Sequence, residues 1–300
     1  MAIQTVRAQV NGTWHTLTYD SASGTYKATI TAPGATSYNQ SGGYYNITVE
    51  ATNDAGTTGR ADGSTLNGLR LVVKERVAPV ITILSPSGGA TVTNNKQPVV
   101  FTVVDEAGGS GIKQSSIAVT LDGTAVASNT LTFTSITNGY SVTYTPASAL
   151  SDGRHTVAIN ASDNDGNAAT AKSTTFRIDT VPPTLNITAP ADGLVTASAS
   201  LTVKGTTNDA QSSPVSVAIK LNGVDQGSAT VGSDGSFSKT ITLAEGSNTI
   251  VVTATDGAGQ SSSISRTVKL DSSVPKVVSA SISPNPIDAG ETMIISVVIE

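Results

Sequence analysis

Apolar and polar residues alternate along three short stretches of the chain, and each stretch ends at the same kind of turn. The stretches are residues 47–56 (ITVEATNDAG), 157–166 (VAINASDNDG) and 250–259 (IVVTATDGAG). Alternation with a period of two is typical of a β-strand with one buried face. Each stretch reaches an Asn or Asp, which is followed three residues later by a glycine. The threefold agreement predicts a repeated β-rich unit.

A hairpin signal precedes each of these strands. The segments VRAQVNG, IAVTLDG and VAIKLNG end in Asn-Gly or Asp-Gly, at Gly12, Gly123 and Gly223. These dipeptides favour a type I′ turn, because both central residues need a positive φ. A further strand follows from Gly24, Gly139 and Gly235. Short strands with frequent turn signals predict antiparallel β-sandwiches.

The phase of the repeat divides the chain. In the second and third repeats two strands precede the hairpin, VITIL with VVFTVV and then LNITA with LTVKG. The first repeat has only ten residues before Asn11, and VVSASISP and TMIISVVIE follow Pro275. We therefore predict a partial domain without its first two strands (1–77), two complete domains (78–180 and 181–273) and an orphan strand pair (274–300).

Composition narrows the class of protein. We find no helical stripe of apolar residues, so the predicted class is all-β. Charged residues make up 13% of the chain and the net charge is −5, which argues against nucleic-acid binding. The sequence has no cysteine, so disulfides and cysteine-bound metals are excluded. It has no apolar run long enough to span a membrane, and MAIQTVRAQV does not have the pattern of a secretory signal peptide.

The units resemble bacterial immunoglobulin-like domains, the tandem modules of surface adhesins and phage tail proteins. The resemblance is carried by VITILSPSGGATVTNNKQPVVFTV, TVAINASDNDGNAA, IDTVPPTLNITAP, LNGVDQGS, TIVVTATDGAG and LDSSVP. It implies tandem antiparallel sandwiches. The junctions contain proline, which stiffens them, so we expect a rod. It also implies a phage tail (virion) protein or an extracellular, cell-surface protein, and a fragment of a longer surface protein is the alternative.

Assembly by strand donation is the main functional hypothesis. In TMIISVVIE the alternation places Met293, Ile295, Val297 and Ile299 on one face, which we predict to be a donor face. The predicted acceptor in the first repeat is formed by Val6, Ala8, Val10, Ile47 and Val49. The expected partner is a second copy joined head to tail, or another virion or surface protein. Alternatively, the first repeat is a smaller sandwich that needs no further strands.

Other sites are weaker predictions. Exposed Trp14, Tyr38, Tyr44 and Tyr45 would suit a glycan-binding adhesin, and core packing is the alternative for them. Asp163 and Asp165 could be proposed as a catalytic pair, but the repeated turn favours a structural role, so we predict no enzyme. No cofactor or metal site is assigned. Calcium would suit the oxygen-rich loop Asp163–Asn167, with Asp179 or Asp105 and Glu106, and a solvated turn is the alternative.

Overall fold

The computed structural model describes residues 2–300 and confirms the all-β class. The chain divides into two compact units, one that ends at Ile178 and one that comprises Asp179–Glu300. Short 3₁₀ helices are the only helices among residues 2–300: Ser41–Gly43, Asn67–Leu69, Gln114–Ser116 and Ser128–Thr130. None of them is long and apolar enough to cross a membrane.

The first unit opens with a single five-stranded sheet. Its strands are β1 (Ile3–Val10), β2 (Thr13–Asp20), β3 (Thr25–Lys27), β5 (Thr48–Asn53) and β6 (Thr58–Asp62), in the order β3-β2-β1-β5-β6. All neighbours in this sheet are antiparallel. A separate pair is formed by β4 (Tyr45–Asn46) and β7 (Arg70–Leu71).

The rest of the first unit is a complete sandwich of two sheets. It corresponds to the second repeat and is here called the second sandwich. One sheet has the order β13-β14-β10-β8 and the other has the order β12-β11-β15-β16-β9. The strands are β8 (Val80–Ser85), β9 (Thr91–Val92), β10 (Val99–Val104), β11 (Ala118–Leu121), β12 (Thr124–Ala125), β13 (Leu131–Ile136), β14 (Gly139–Tyr144), β15 (Gly153–Asn160) and β16 (Lys172–Ile178). Their inward side chains, such as Phe101 and Phe176, form a continuous buried core.

The second unit contains the third sandwich, which repeats this arrangement. Its sheets have the orders β17-β19-β22 and β18-β24-β23-β20-β21. The strands are β17 (Thr184–Ala189), β18 (Leu194–Thr196), β19 (Ser200–Asn208), β20 (Ser216–Leu221), β21 (Val224–Ala229), β22 (Ser236–Thr242), β23 (Gly246–Thr255) and β24 (Ser261–Leu270). In both sandwiches a short strand, β9 or β18, joins the last strand in parallel. The third sandwich has its own apolar core around Val203 and Ile250.

The hairpin prediction is confirmed in all three repeats. Asn11, Asp122 and Asn222 have φ values of 45°, 50° and 52°, and the glycine after each also has a positive φ. The turns join β1 to β2, β11 to β12 and β20 to β21. Positive φ at both central positions is the geometry of a type I′ turn.

The strand after this hairpin differs between the repeats. In the two sandwiches β14 and β22 leave the hairpin's sheet and pair with β10 and β19 in the facing sheet. In the first repeat β3 stays in the same sheet and pairs with β2. No strand equivalent to β10 precedes β1 in residues 2–77, so β3 has no such partner there. The assignment of a partial domain to residues 1–77, like the other predicted domain boundaries, remains a prediction.

The chain's last strands form a hairpin, here called the C-terminal hairpin. Strands β25 (Val277–Ser283) and β26 (Ile294–Ile299) pair antiparallel. The pairs β8–β10 and β17–β19 at the start of the two sandwiches have the same direction. Every residue of both C-terminal strands is exposed. An isolated two-stranded hairpin is marginally stable in water, so apolar side chains on this one need a cover.

Candidate functional sites

One turn follows β5, β15 and β23 and is held in the same way each time. Asn53 Oδ1 accepts hydrogen bonds from the N–H groups of Ala55 (3.0 Å) and Thr57 (2.9 Å). Asp163 Oδ1 accepts from Gly166 (2.6 Å) and Asn167 (2.8 Å), and Asp256 Oδ1 accepts from Ala258 (2.8 Å) and Gln260 (2.9 Å). The predicted turn role of these Asn and Asp residues is confirmed.

The second carboxylate oxygen distinguishes the two acidic turns. Asp163 Oδ2 accepts a hydrogen bond of 2.7 Å from Nδ2 of Asn167. Gln260 stands four residues after Asp256, as Asn167 does after Asp163, but its Nε2 donates to the carbonyl oxygen of Asp179 (2.9 Å). Asp256 Oδ2 is therefore left buried without a hydrogen-bond partner.

Asp256 belongs to a group of three buried aspartates in the second unit, here called the Asp256 cluster. Asp179, Asp209 and Asp256 each offer a carboxylate oxygen, and these oxygens lie within 4.8 Å of one another. Their exposed fractions are 0%, 8% and 7%. Asp179 precedes β17, Asp209 follows β19 and Asp256 follows β23. Two turns and the entering segment thus converge at one end of the third sandwich.

The hydrogen bonds of the Asp256 cluster come from neutral groups. Ser212, itself buried, donates its hydroxyl to Asp179 Oδ2 and lies 3.3 Å from Asp209 Oδ1. Asp209 Oδ1 also accepts from the N–H of Ser212 and of Gln211, both at 2.7 Å. None of the ion pairs among residues 2–300 includes a member of this cluster.

A similar group, here called the Glu75 cluster, lies in the first unit. Glu75, Asp105 and Glu106 bring carboxylate oxygens within 4.8 Å of one another. Glu75 Oε1 accepts from the N–H of Ser110, and Asp105 Oδ2 accepts from the N–H of Gly111 at 2.7 Å. Glu75 Oε2, Asp105 Oδ1 and Glu106 Oε2 are buried and accept no hydrogen bond from a group outside the cluster. Asp105 follows β10 as Asp209 follows β19, so these two members occupy matching places. The third members differ, because the counterpart of Asp256 is Asp163 and not Glu106.

Electrostatics in the Glu75 cluster favour a neutral Glu106. A hydrogen bond to Glu75, together with burial, raises the pKa of Glu106 to about 7. Burial opposes ionisation of Glu75, but hydrogen bonds from Glu106 and Ser110 lower the pKa of its carboxyl below its usual value. Adjacent carboxylates cannot all ionise without a compensating charge, so the pair shares a proton when no cation is bound.

The structure alters the ligand set predicted for calcium. Asp163 is fully hydrogen-bonded, and Asp165 Oδ2 accepts from Thr36 Oγ1 (2.5 Å) and the N–H of Glu75 (3.0 Å). Asp105 and Glu106 lie in the Glu75 cluster, whereas Asp179 lies in the Asp256 cluster. The sequence interpretation missed Asp209, although its position after a strand that matches β10 was a usable signal.

The predicted donor residues lie on an exposed face of the C-terminal hairpin. Met293 precedes β26, and Ile295, Val297 and Ile299 lie within it, with exposed fractions between 49% and 62%. Residues of the opposite face are exposed as well, including Ile294 and Val298. No contact between this hairpin and an acceptor is described, so the donor role remains a prediction.

The predicted acceptor residues lie on β1 and beside or within β5, which pair in register with Ala8 opposite Val49. Val6, Ala8 and Val10 are already buried, and Ile47 and Val49 are half-buried. A groove of ≈ 340 Å³ lies beside this face. Its apolar lining includes Val10, Ile30, Ile47, Leu69 and Leu71. The open part of the predicted acceptor is therefore this groove.

The aromatic residues of the first sheet do not share one environment. Tyr45 is buried and its hydroxyl donates to the carbonyl oxygen of Ala35 (3.1 Å). Arg7 lies over the ring of Trp14, and Arg70 lies over the ring of Tyr44. Tyr38 is 51% exposed. The core alternative thus holds for Tyr45, whereas about half of Tyr38 is exposed to solvent.

Comparison with known families supports the resemblance drawn from the sequence. Residues 83–180 match the family model "Bacterial Ig-like domain", and residues 138–224 match "Bacterial Ig-like domain (group 3)". Residues 183–272 match "Glucodextranase, domain B". A search of curated proteins gave no match.

Several solved structures align with this chain at low sequence identity. The fibronectin(III)-like modules of Clostridium thermocellum CbhA are 18% identical, with a TM-score of 0.40, and the match covers 64% of this chain and 94% of that one. A tetra-tandem repeat from the extending region of a large adhesion protein is 20% identical, with a TM-score of 0.32, and covers 98% and 79%. A structure from a 1.5-MDa bacterial ice-binding adhesin is 20% identical, with a TM-score of 0.33, and covers 90% and 88%.

Proposed function

Because this chain is a tandem bacterial Ig-like protein, we propose that it is a non-enzymatic structural or adhesion module that works outside the cell. The observation that carries the proposal is the repetition of packed sandwiches, each with a separate apolar core. The buried carboxylates support it, because they bind backbone groups of turns and so hold loops in place.

An extracellular place, on a cell surface or a virion such as a phage tail, is part of the proposal. Charged residues make up only 13% of the chain, so its surface is solvated mainly through hydroxyl and amide groups. The zero cysteine count fits domains that build sufficient cores from aliphatic side chains.

Assembly by strand complementation is the finer proposal. The exposed faces of the C-terminal hairpin need an apolar partner, and the groove beside Val10 and Ile47 offers one on a second copy of the chain. Burying the side chains of Met293, Ile295, Val297 and Ile299 would contribute roughly 6–12 kcal/mol gross, at about 1.5–3 kcal/mol each. Ordering the strands would offset much of this. Repeated head to tail, the contact gives a filament or a ring.

Sedimentation of the full chain tests the assembly. We expect the mass of the wild type to rise with concentration above the 30.2 kDa of one chain. Ile295→Asp places a charge on the proposed donor face and should weaken association at least about tenfold, a loss of about 1.4 kcal/mol. Ser296→Asp adds the same charge to the opposite face of β26 and serves as the matched control.

Two results would contradict strand complementation. One is a wild-type chain that remains at the mass of a single copy at every concentration. The other is equal association of Ile295→Asp and Ser296→Asp. An Ile47→Asp variant examines the acceptor in the same way, because Ile47 lines the groove. Only the assembly proposal depends on these results.

A further inference from the structure

We propose that Asp179, Asp209 and Asp256 form a calcium-binding site at the end of the third sandwich. The proposal starts from the burial of three carboxylates whose oxygens lie within 4.8 Å of one another. Moving a carboxylate out of water is costly unless an opposite charge accompanies it. Three adjacent anions raise this cost, because each repels the others in a region of low dielectric constant.

The groups around the cluster do not supply the missing positive charge. Ser212 and backbone N–H groups donate to Asp179 and Asp209, but these donors are neutral. No Lys, Arg or His among residues 2–300 forms an ion pair with any of the three aspartates. A cation from solution is therefore the simplest source of compensation.

Asp256 provides the independent sign of a ligand. Its side chain is 93% buried, since its exposed fraction is 7%, and its Oδ2 has no hydrogen-bond partner. Nearly all buried polar atoms in proteins are hydrogen-bonded, so an unpaired oxygen on a buried carboxylate beside two further carboxylates indicates a missing ligand. The Asp163 turn supplies the contrast, because there Asn167 occupies the equivalent oxygen.

Calcium fits the donor set better than other common cations do. All three protein ligands are carboxylate oxygens, and Ca²⁺ takes six to eight oxygens in flexible geometry, with waters completing the set. Zn²⁺ prefers nitrogen and sulfur ligands, and Mg²⁺ demands near-ideal octahedral geometry. A bound ion would tie the segment that enters β17 to the turns after β19 and β23.

The same inference extends to the Glu75 cluster. Asp105 is 96% buried, since its exposed fraction is 4%, and its Oδ1 has no partner. Glu75 precedes β8 as Asp179 precedes β17, and each lies four residues before a proline, Pro79 or Pro183. We expect one calcium ion in each compact unit.

Asp256→Asn is the sharpest variant, because Asn53 holds the same turn through its Oδ1. The variant should keep the turn and lose one ligand charge. Asp225→Asn is the matched control, since Asp225 is exposed and its Oδ1 accepts from the N–H of Gly227 (2.7 Å). The full chain, stripped with a chelator, is titrated with calcium chloride by calorimetry. Its unfolding temperature is then followed with and without calcium.

We expect the wild type and Asp225→Asn to bind calcium and to unfold at a higher temperature with it. Asp256→Asn should bind about tenfold more weakly or not at all at this site. Without calcium, Asp256→Asn should unfold at a higher temperature than the wild type, because one of three crowded charges is gone. If Asp256 only holds its turn, Asp256→Asn should instead unfold at a lower temperature than the wild type without calcium.

Three results would overturn the proposal. The first is unchanged calcium binding by Asp256→Asn. The second is an equal rise in unfolding temperature with sodium chloride at matched ionic strength. The third is stabilisation of the wild type by acid with no binding of calcium, which would mean that the carboxylates share protons.

Discussion

At the scale of single residues, His155 joins two strands through a charged network. Its Nδ1 lies 2.7 Å from Asp122 Oδ2, and its Nε2 lies 2.8 Å from the carbonyl oxygen of Ser151. Asp122 Oδ1 also accepts from the N–H of Thr156 (2.7 Å). Burial by itself would lower the pKa of His155, but the hydrogen bonds to Ser151 and Asp122 raise it above the ordinary value.

The third sandwich builds the same network from neutral groups. Asn248 takes the place of His155 and Asn222 takes the place of Asp122, with an Nδ2–Oδ1 distance of 3.1 Å. Asn222 Oδ1 accepts from the N–H of Thr249 (2.8 Å), as Asp122 Oδ1 does from Thr156. A charged pair and an amide pair thus do the same structural work in one molecule.

This difference predicts that only the first unit has a histidine-dependent stability. A raised pKa in the folded state means that the contribution is full below the unfolded value of about 6.5 and is lost as pH rises through the folded value. The unfolding temperature of the first unit should therefore fall as the pH rises above about 6.5, through the raised pKa of His155. Scanning calorimetry of the full chain across this range measures it.

His155→Asn copies the third sandwich and is the control. Glu106, with its pKa of about 7, titrates in the same range and with the same sign, so the informative quantity is the difference between wild type and His155→Asn. An identical pH dependence in both proteins would show that His155 does not contribute.

At the scale of elements, close packing across β19 requires a glycine. A Cβ added at Gly205 would lie 2.2 Å from the carbonyl oxygen of Asn186 and 2.5 Å from the ring of Phe237. Neither the paired backbone of β17 nor a buried ring can move away cheaply. Gly205→Ala should destabilise the second unit by about 1–3 kcal/mol, the usual cost of overpacking.

Chemical denaturation of Gly205→Ala measures that loss. Thr206→Ala, at the exposed neighbouring position of β19, should change the free energy of unfolding far less. Equal destabilisation by the two variants would mean that the close approach at Gly205 relaxes at little cost.

Local signals in the sequence predicted the elements well. The predicted hairpins are confirmed, because a type I′ turn depends on its own two central residues. The first of these is Asn11, Asp122 or Asn222, and each has a positive φ. The pairing of β3 with β2 could not be predicted, because it depends on which strands lie nearby. The Asp256 cluster was missed for a similar reason. Asp209 is 47 residues from Asp256, and only the fold brings their carboxylates together.

At the scale of the whole molecule, the two clusters of carboxylates lie in different compact units. Their ligands share no residue, so mutations in one should not affect the other. We predict that Asp105→Asn and Asp256→Asn each lose part of the calcium-dependent rise in unfolding temperature. In the double variant the loss should equal the sum of the two single losses. Calorimetry of the four proteins, with and without calcium, measures this. Loss of both rises in a single variant would show that the sites are coupled.

The side chain four residues after the turn acid carries a consequence for any chain built from such repeats. Asn167 reaches back to close the oxygen of Asp163, whereas Gln260, one methylene longer, reaches away and leaves Asp256 open. Exchanging one uncharged amide for another would then decide whether the acid of this turn can serve as a calcium ligand, without altering the net charge of the repeat. A chain built from many such repeats would in this way place open and closed turn acids in any order along a single polypeptide.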